Sequence, residues 1–173
     1  MTTIYTPEDV YNFARDGNVD ELIIALNQVN NSTNWYRDQH GNTALHWAAL
    51  EGYMNIAEIL LDRGIDINSK NDYGYTALHD YTALHLSAYN GNMNIVEILL
   101  DRGIDINSKD NYGNTALHVA ARNGNMNIVE ILLDRGIDIN SKNINGWTAL
   151  HDAARWGYTN IVEILLDLSL IHI

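Results

Sequence analysis

Four histidines, His46, His85, His118 and His151, each close a TALH tetrapeptide, and the last three stand 33 residues apart. A column of imidazoles is raw material for metal binding or acid–base catalysis. Six aspartates, Asp62, Asp66, Asp101, Asp105, Asp134 and Asp138, recur just as regularly and look like a carboxylate array. Each aspartate pair flanks an arginine, Arg63, Arg102 or Arg135, which marks solvated loop charges instead. His79 lies six residues before His85 but brings no third ligand, and His40 and His172 are isolated. No nucleophile elbow, phosphate loop, zinc motif or calcium loop occurs. The expectation is a protein that is not an enzyme, with no catalytic residue, no cofactor and no metal.

Charge narrows the partners. Ten Lys and Arg against 22 Asp and Glu leave a net charge of −12, which is repelled by phosphate backbones and anionic membrane surfaces. Neither nucleic acid nor membrane is expected. There is no cysteine, which excludes a disulfide framework and fits a reducing compartment. Met1 to Pro7 has neither a basic flank nor an apolar run, and no window approaches the roughly 18 apolar residues of a membrane span. A soluble intracellular protein of the cytoplasm is the expectation.

A repeat positions these residues. ILLDRGIDINSK stands unchanged at 59–70, 98–109 and 131–142, and TALH at 43, 76, 82, 115 and 148. In the unit starting at Asp110, residues 110–114 read as a turn and Thr115 to Ala121 open a first helix. Asn123-Gly124 breaks the chain, and Asn127 to Leu133 read as a second helix. This 33-residue period with a T-x-L-H signature resembles the ankyrin repeat. The resemblance implies an all-α solenoid of stacked helix–turn–helix units joined by hairpin-like turns. The whole chain, 1–173, then forms one domain with repeats at 38–70, 71–109, 110–142 and 143–173. Residues 6–37 form a degenerate N-terminal capping unit, in which Thr6 caps a helix begun by Pro7. Glu21 stands there where later units carry Ile56, Ile95, Ile128 and Ile161, as suits a face turned to water.

Each helix is only two to three turns long and must be held by its neighbours. Leu45, Leu84, Leu117 and Leu150 should therefore fill equivalent buried places in successive layers. Thr caps each first helix and the His three residues later closes back onto it. Stacked units lie about 8–10 Å apart, too far for two such imidazoles to share a zinc at about 2 Å. The histidines are read as structural. TALH replaces the family's usual TPLH, which removes a stiffening proline and little else.

Two units depart from the pattern. In 71–109, YTALHD is followed by YTALHL, a surplus of six residues. Placed after a cap at Thr76 the surplus would rotate the helix by about 240° and take its stripe off the core. Placed before a cap at Thr82 it only lengthens a turn. The second placement makes 75–81 an extended, mobile finger displaying Tyr75, His79 and Tyr81. The last unit replaces RGIDIN with Leu168-Ser169-Leu170-Ile171-His172-Ile173. Continuation of the chain, a fold-back cap and an exposed apolar patch remain open for it.

The resemblance also implies that partners bind on the concave side, made of turn tips and first helices. Within this chain those are the positions that differ between near-identical units. Tyr73, Tyr75, Tyr89, Asn111, Tyr112, Asn114, Arg122, Asn123, Trp147, Arg155 and Trp156 are the candidate partner-binding residues. Aromatic anchors with adaptable amides suit a protein partner. The competing reading is that turn tips drift and their tyrosines cover neighbouring turns. A monomer is expected, with self-association through the apolar C-terminal unit as the alternative. The second functional reading is a spacer or fragment of a longer array. Asn68, Asn107 and Asn140 are similar to asparagines that are hydroxylated in some members of the family.

Overall fold

The computed structural model describes residues 3–29, 35–72 and 80–171, with backbone alone at 80 and 169–171. Thr6 opens the first helix with a reciprocal capping box, its amide donating to the Asp9 carboxylate at 2.8 Å and Asp9 N–H donating back to Thr6 Oγ1 at 3.2 Å. Helix α1 (Pro7–Arg15) is followed by α2 (Val19–Gln28). Four further helix pairs follow: α3 (Ala44–Glu51) with α4 (Met54–Asp62), α5 (Ala83–Asn90) with α6 (Met93–Asp101), α7 (Ala116–Asn123) with α8 (Met126–Asp134), and α9 (Ala149–Trp156) with α10 (Thr159–Ile171).

Helices of eight or nine residues do not persist alone in water. Here α1, α3, α5, α7 and α9 lie side by side in one row, and α2, α4, α6, α8 and α10 in a second row against it. The core fills the seam between rows with the repeat's own positions. Leu45, Leu84 and Leu117 are each 1% exposed, and Leu60, Leu99 and Leu132 are fully buried. Leu150, the fourth expected equivalent, is only half-buried, because among the described residues no further layer packs on α9.

Neighbours also satisfy the helix ends. Asn92 Nδ2 donates to the carbonyls of Ala49 and Leu50 at 2.7 and 2.9 Å, and Asn125 Nδ2 does the same to Ala88 and Tyr89 at 2.7 and 3.1 Å. Those are the carbonyls a helix C-terminus leaves without partners. At the next layer Tyr158 takes this place and lays its ring over Gly124, whose φ of +73° terminates α7.

The turn that precedes α5 opens on a short paired base. Strand β1 (Asn71–Asp72) pairs antiparallel with β2 (Asp80–Tyr81) in the register Asn71 with Tyr81 and Asp72 with Asp80. An ordinary unit closes the same base in five residues, with Asp110 N–H donating to the Asn114 carbonyl at 2.9 Å. Tyr81 thus stands where Asn114 stands, and α5 begins directly after Thr82 with its register intact. One expectation is corrected. Tyr81 is not displayed on a finger: it is half-buried, stacked on His85 at 5.6 Å and 15°. Tyr75 and His79 lie outside the described residues.

Helix α10 runs 13 residues instead of nine, continuing helically where the other units make their glycine-centred return. Among the described residues no helix is long and apolar enough to cross a membrane.

Candidate functional site

The histidine column is the stack's fastening. Thr43 N–H donates to His46 Nδ1 at 3.1 Å, which makes that nitrogen an acceptor and leaves the proton on Nε2. Nε2–H then donates to the Tyr81 carbonyl of the next unit at 3.0 Å. His85 repeats this to Asn114 at 3.1 Å and His118 to Trp147 at 3.0 Å. Burial pushes His46 and His85 down to about 4, and holds His118 below the usual imidazole range as well. Locked neutral, with both nitrogens engaged, these rings are in no position to relay protons near pH 7. His151 accepts the Thr148 amide at 3.2 Å but is exposed, in line with the open side of the last layer. Among the described residues no three His, Cys, Asp or Glu side chains gather as metal ligands.

The residues that differ between units converge elsewhere. Turns 110–114 and 143–147, with the facing sides of α7 and α9, enclose a hollow of about 370 Å³. Six candidates named from the sequence line it: Tyr112, Asn114, Arg122, Trp147, Arg155 and Trp156. Trp156 is 58% exposed, and the Arg155 guanidinium lies 5.1 Å from the centroid of the Trp147 ring, a cation–π contact. Arg122 has no carboxylate within ion-pair distance among the described residues, unlike Arg102 and Arg135, which bond Asp62 and Asp101 at 2.8 Å.

Asn114 lines this hollow and is also part of the framework. It is buried. Its Nδ2 donates to Asp110 Oδ2 at 3.0 Å, its Oδ1 accepts from Asn143 Nδ2 at 3.0 Å, and its carbonyl accepts the hydrogen bond from His85 Nε2–H. Three more candidates lie outside the hollow. Tyr89 is exposed on α5 and Asn111 on its turn tip, while Asn123 donates to the Val119 carbonyl of its own helix at 2.8 Å. Tyr73 and Tyr75 fall outside the described residues.

Four more residues line the hollow that are not among those candidates: Tyr81, Asn143, Asn145 and Asp152. Asp152 is 4% exposed, and its Oδ2 is the buried side-chain oxygen left without a hydrogen-bond partner among the described residues. Burial raises its carboxyl above the usual carboxylate range, against the pull of Arg122, His118 and Arg155. A signal was present: four residues after the capping threonine the other units carry Trp47, Leu86 and Val119, all apolar. The arrangement offers aromatic walls, two cationic donors and one hidden acceptor.

Repeats, caps and stacking together define a class, and the comparisons with known proteins agree. Models of ankyrin repeats match residues 10–71 and 69–143 (three copies) and 126–166 (many copies). The chain belongs to the ankyrin-repeat family, whose repeats are protein–protein interaction modules and are generally non-catalytic.

Relatives match over part of the chain. It is 41% identical over 64 residues to the integrin-linked protein kinase homolog pat-4 of Caenorhabditis elegans, covering 37% of this chain and 14% of that protein. It is 40% identical over 70 residues to 26S proteasome non-ATPase regulatory subunit 10 of Rattus norvegicus, covering 39% and 29%. The scaffold protein ILK of Mus musculus is 36% identical over 64 residues, covering 37% and 14%. The chain thus spans less than a third of the length of each of these relatives.

Proposed function

We propose that this chain is a non-catalytic binding module that holds one partner protein along the concave side formed by its turn tips and first helices. The observation that carries the reading is the hollow between α7 and α9. In an array whose framework residues are repeated letter for letter, the aromatic and cationic exceptions Tyr112, Arg122, Trp147, Arg155 and Trp156 gather around one depression. Large, rigid side chains of this kind supply contact area at low entropic cost, which is how binding hot spots are built. The relatives named as a scaffold protein and a regulatory subunit are in keeping with such a role. An intracellular site of action suits the absence of cysteine.

The test is affinity capture with the full chain beside its Trp147→Ala/Trp156→Ala double variant, followed by mass spectrometry. Proteins held by the first and released by the second are the expected result. Retention of every captured protein by the double variant sinks the concave-side reading. That outcome favours a second one, a spacer within a longer array, which draws on the half-covered Leu150 and the exposed His151 in the last layer.

A further inference from the structure

We infer that the hollow between α7 and α9 receives an acidic side chain of an extended partner segment, its carboxylate between Arg122 and Arg155. The inference rests on the binding-module reading above and adds the chemistry of the anchor.

Three observations lead to it. First, Arg122 and Arg155 both line the hollow without a carboxylate partner among the described residues, while Arg102 and Arg135 elsewhere are paired. Guanidinium groups held open beside aromatic rings are suited to a carboxylate, which each can meet with charge-assisted N–H donors. Second, Asp152 places a buried oxygen with no donor at the same hollow. A hidden acceptor without a partner costs folding free energy, and the repeat has an apolar alternative for this position in Trp47, Leu86 and Val119. That oxygen is too deeply covered to be reached from outside, so what Asp152 gives the hollow is its charge, drawn toward Arg122 and Arg155 without bonding either. Third, the charges lining the hollow are Arg122, Arg155 and Asp152, which sum to +1 with Asp152 ionised. A monoanion neutralises that charge. A dianionic phosphate overshoots it and meets the Asp152 carboxylate, and a lysine or arginine adds a like charge beside two guanidinium groups. At about 370 Å³ the hollow is near the small end of ligand sites, which run from roughly 300 to 1,000 Å³, and fits a single side chain with its adjoining backbone.

Defined peptides make the test independent of the natural partner. Acetyl-Ala-Glu-Ala-amide is titrated into the full chain, alongside counterparts with glutamine, lysine or phosphoserine at the centre. Proton–nitrogen NMR follows the indole N–H of Trp147 and Trp156 and the Nε–H of Arg122 and Arg155. The glutamate peptide should give saturable shifts at these signals with a Kd on the order of 1–10 mM. The glutamine and lysine peptides should bind at least about fivefold more weakly, and phosphoserine no more tightly than glutamate. Arg122→Gln with Arg155→Gln should erase the glutamate preference while amide signals away from the hollow stay in place. Asp152→Leu, which restores the repeat's apolar type and removes the negative charge beside the two guanidinium groups, should keep the fold and tighten the glutamate peptide severalfold.

Equal or tighter binding of the lysine, glutamine or phosphoserine peptide overturns the inference, as does the absence of saturable shifts. Glutamate binding that survives the arginine double variant overturns it too, as does weaker glutamate binding to Asp152→Leu. The two readings fail separately. A captured partner that depends on Trp147 and Trp156, beside a hollow indifferent to glutamate, keeps the binding face and removes its acidic anchor. Glutamate binding beside a partner indifferent to both tryptophans does the reverse.

Discussion

At the scale of single residues, the array is its own control, because each unit shows what a position looks like when only stacking matters. Position 152 is tuned against the fold: its equivalents Leu86 and Val119 are fully buried and apolar, while Asp152 is buried with an oxygen unserved. Asp152→Val should raise the unfolding free energy by about 1–2 kcal/mol, read as a higher urea midpoint with unchanged m. A lower midpoint means that Asp152 has a native partner and that its cost is imaginary. The same logic explains what could be read in advance. Tyr112, Arg122, Trp147, Arg155 and Trp156 stood out as differences between near-identical units, and their turn and helix-end positions put them at one hollow. Asn114 stood out equally and is framework, because a difference between units does not say whether a side chain faces solvent or the next turn. Asp152 was hidden by its place on the helix, where the repeat signature drew the eye to threonine and histidine.

At the scale of elements, the repeat period alone told where helices begin, and helix geometry told where the six surplus residues go. A surplus inside α5 would have turned Leu84, Ala88 and the residues after them off the core. Instead α5 starts after Thr82 with Leu84 and Ala88 buried, and Asn71 pairs with Tyr81 just before it. Deleting residues 75–80 leaves Asn71 and Tyr81 to close a five-residue turn like 110–114. That deletion should fold with stability within about 1 kcal/mol of the full chain, since loop closure depends only weakly on length. Chemical denaturation checks it, and loss of cooperative unfolding would show that the surplus belongs to the helix. The last unit was less legible, because its departure is a missing return and no motif says what replaces one. It is a longer α10. The helix–helix turns offer a second check. Both Gly124 and Gly136 have positive φ, but a Cβ at Gly124 would meet the Tyr158 ring at 2.4 Å, while at Gly136 nothing lies within 4 Å. Gly136→Ala should cost about 1 kcal/mol of backbone strain. Gly124→Ala should cost about 2–3 kcal/mol, because the ring that seals the next layer must shift as well. Equal costs in thermal unfolding would mean that Tyr158 gives way freely.

At the scale of the whole molecule, the stack is held across each seam by a neutral imidazole, so its cohesion is tied to pH. His46, His85 and His118 each donate Nε2–H to a carbonyl of the next unit and accept an amide at Nδ1. Protonation at Nδ1 removes that acceptor and buries a charge. Burial places the folded His46 and His85 at about 4, well below the usual imidazole value near 6.5, with His118 displaced the same way. Between those values the unfolded chain binds more protons than the folded one. Stability is therefore complete above about pH 6.5 and is lost progressively as pH falls toward 4. For His46 or His85 the loss by pH 4 is on the order of 3 kcal/mol, a large part of the roughly 5–15 kcal/mol that holds a typical domain together. Asp38, kept low by hydrogen bonds from Tyr11 and Asn42 in spite of its burial, adds a loss below this window, and Asp152, raised by burial, works the other way. Urea midpoints measured from pH 7.5 to 4.5 should fall steeply below about pH 6.5. Because a one-dimensional array fails at its weakest seam, His85→Gln should lower the midpoint at neutral pH and flatten its decline in acid. A midpoint that stays level between pH 6.5 and 4.5 would mean that these imidazoles are already charged in the fold, and the seams would then have to be held by the aliphatic stack alone.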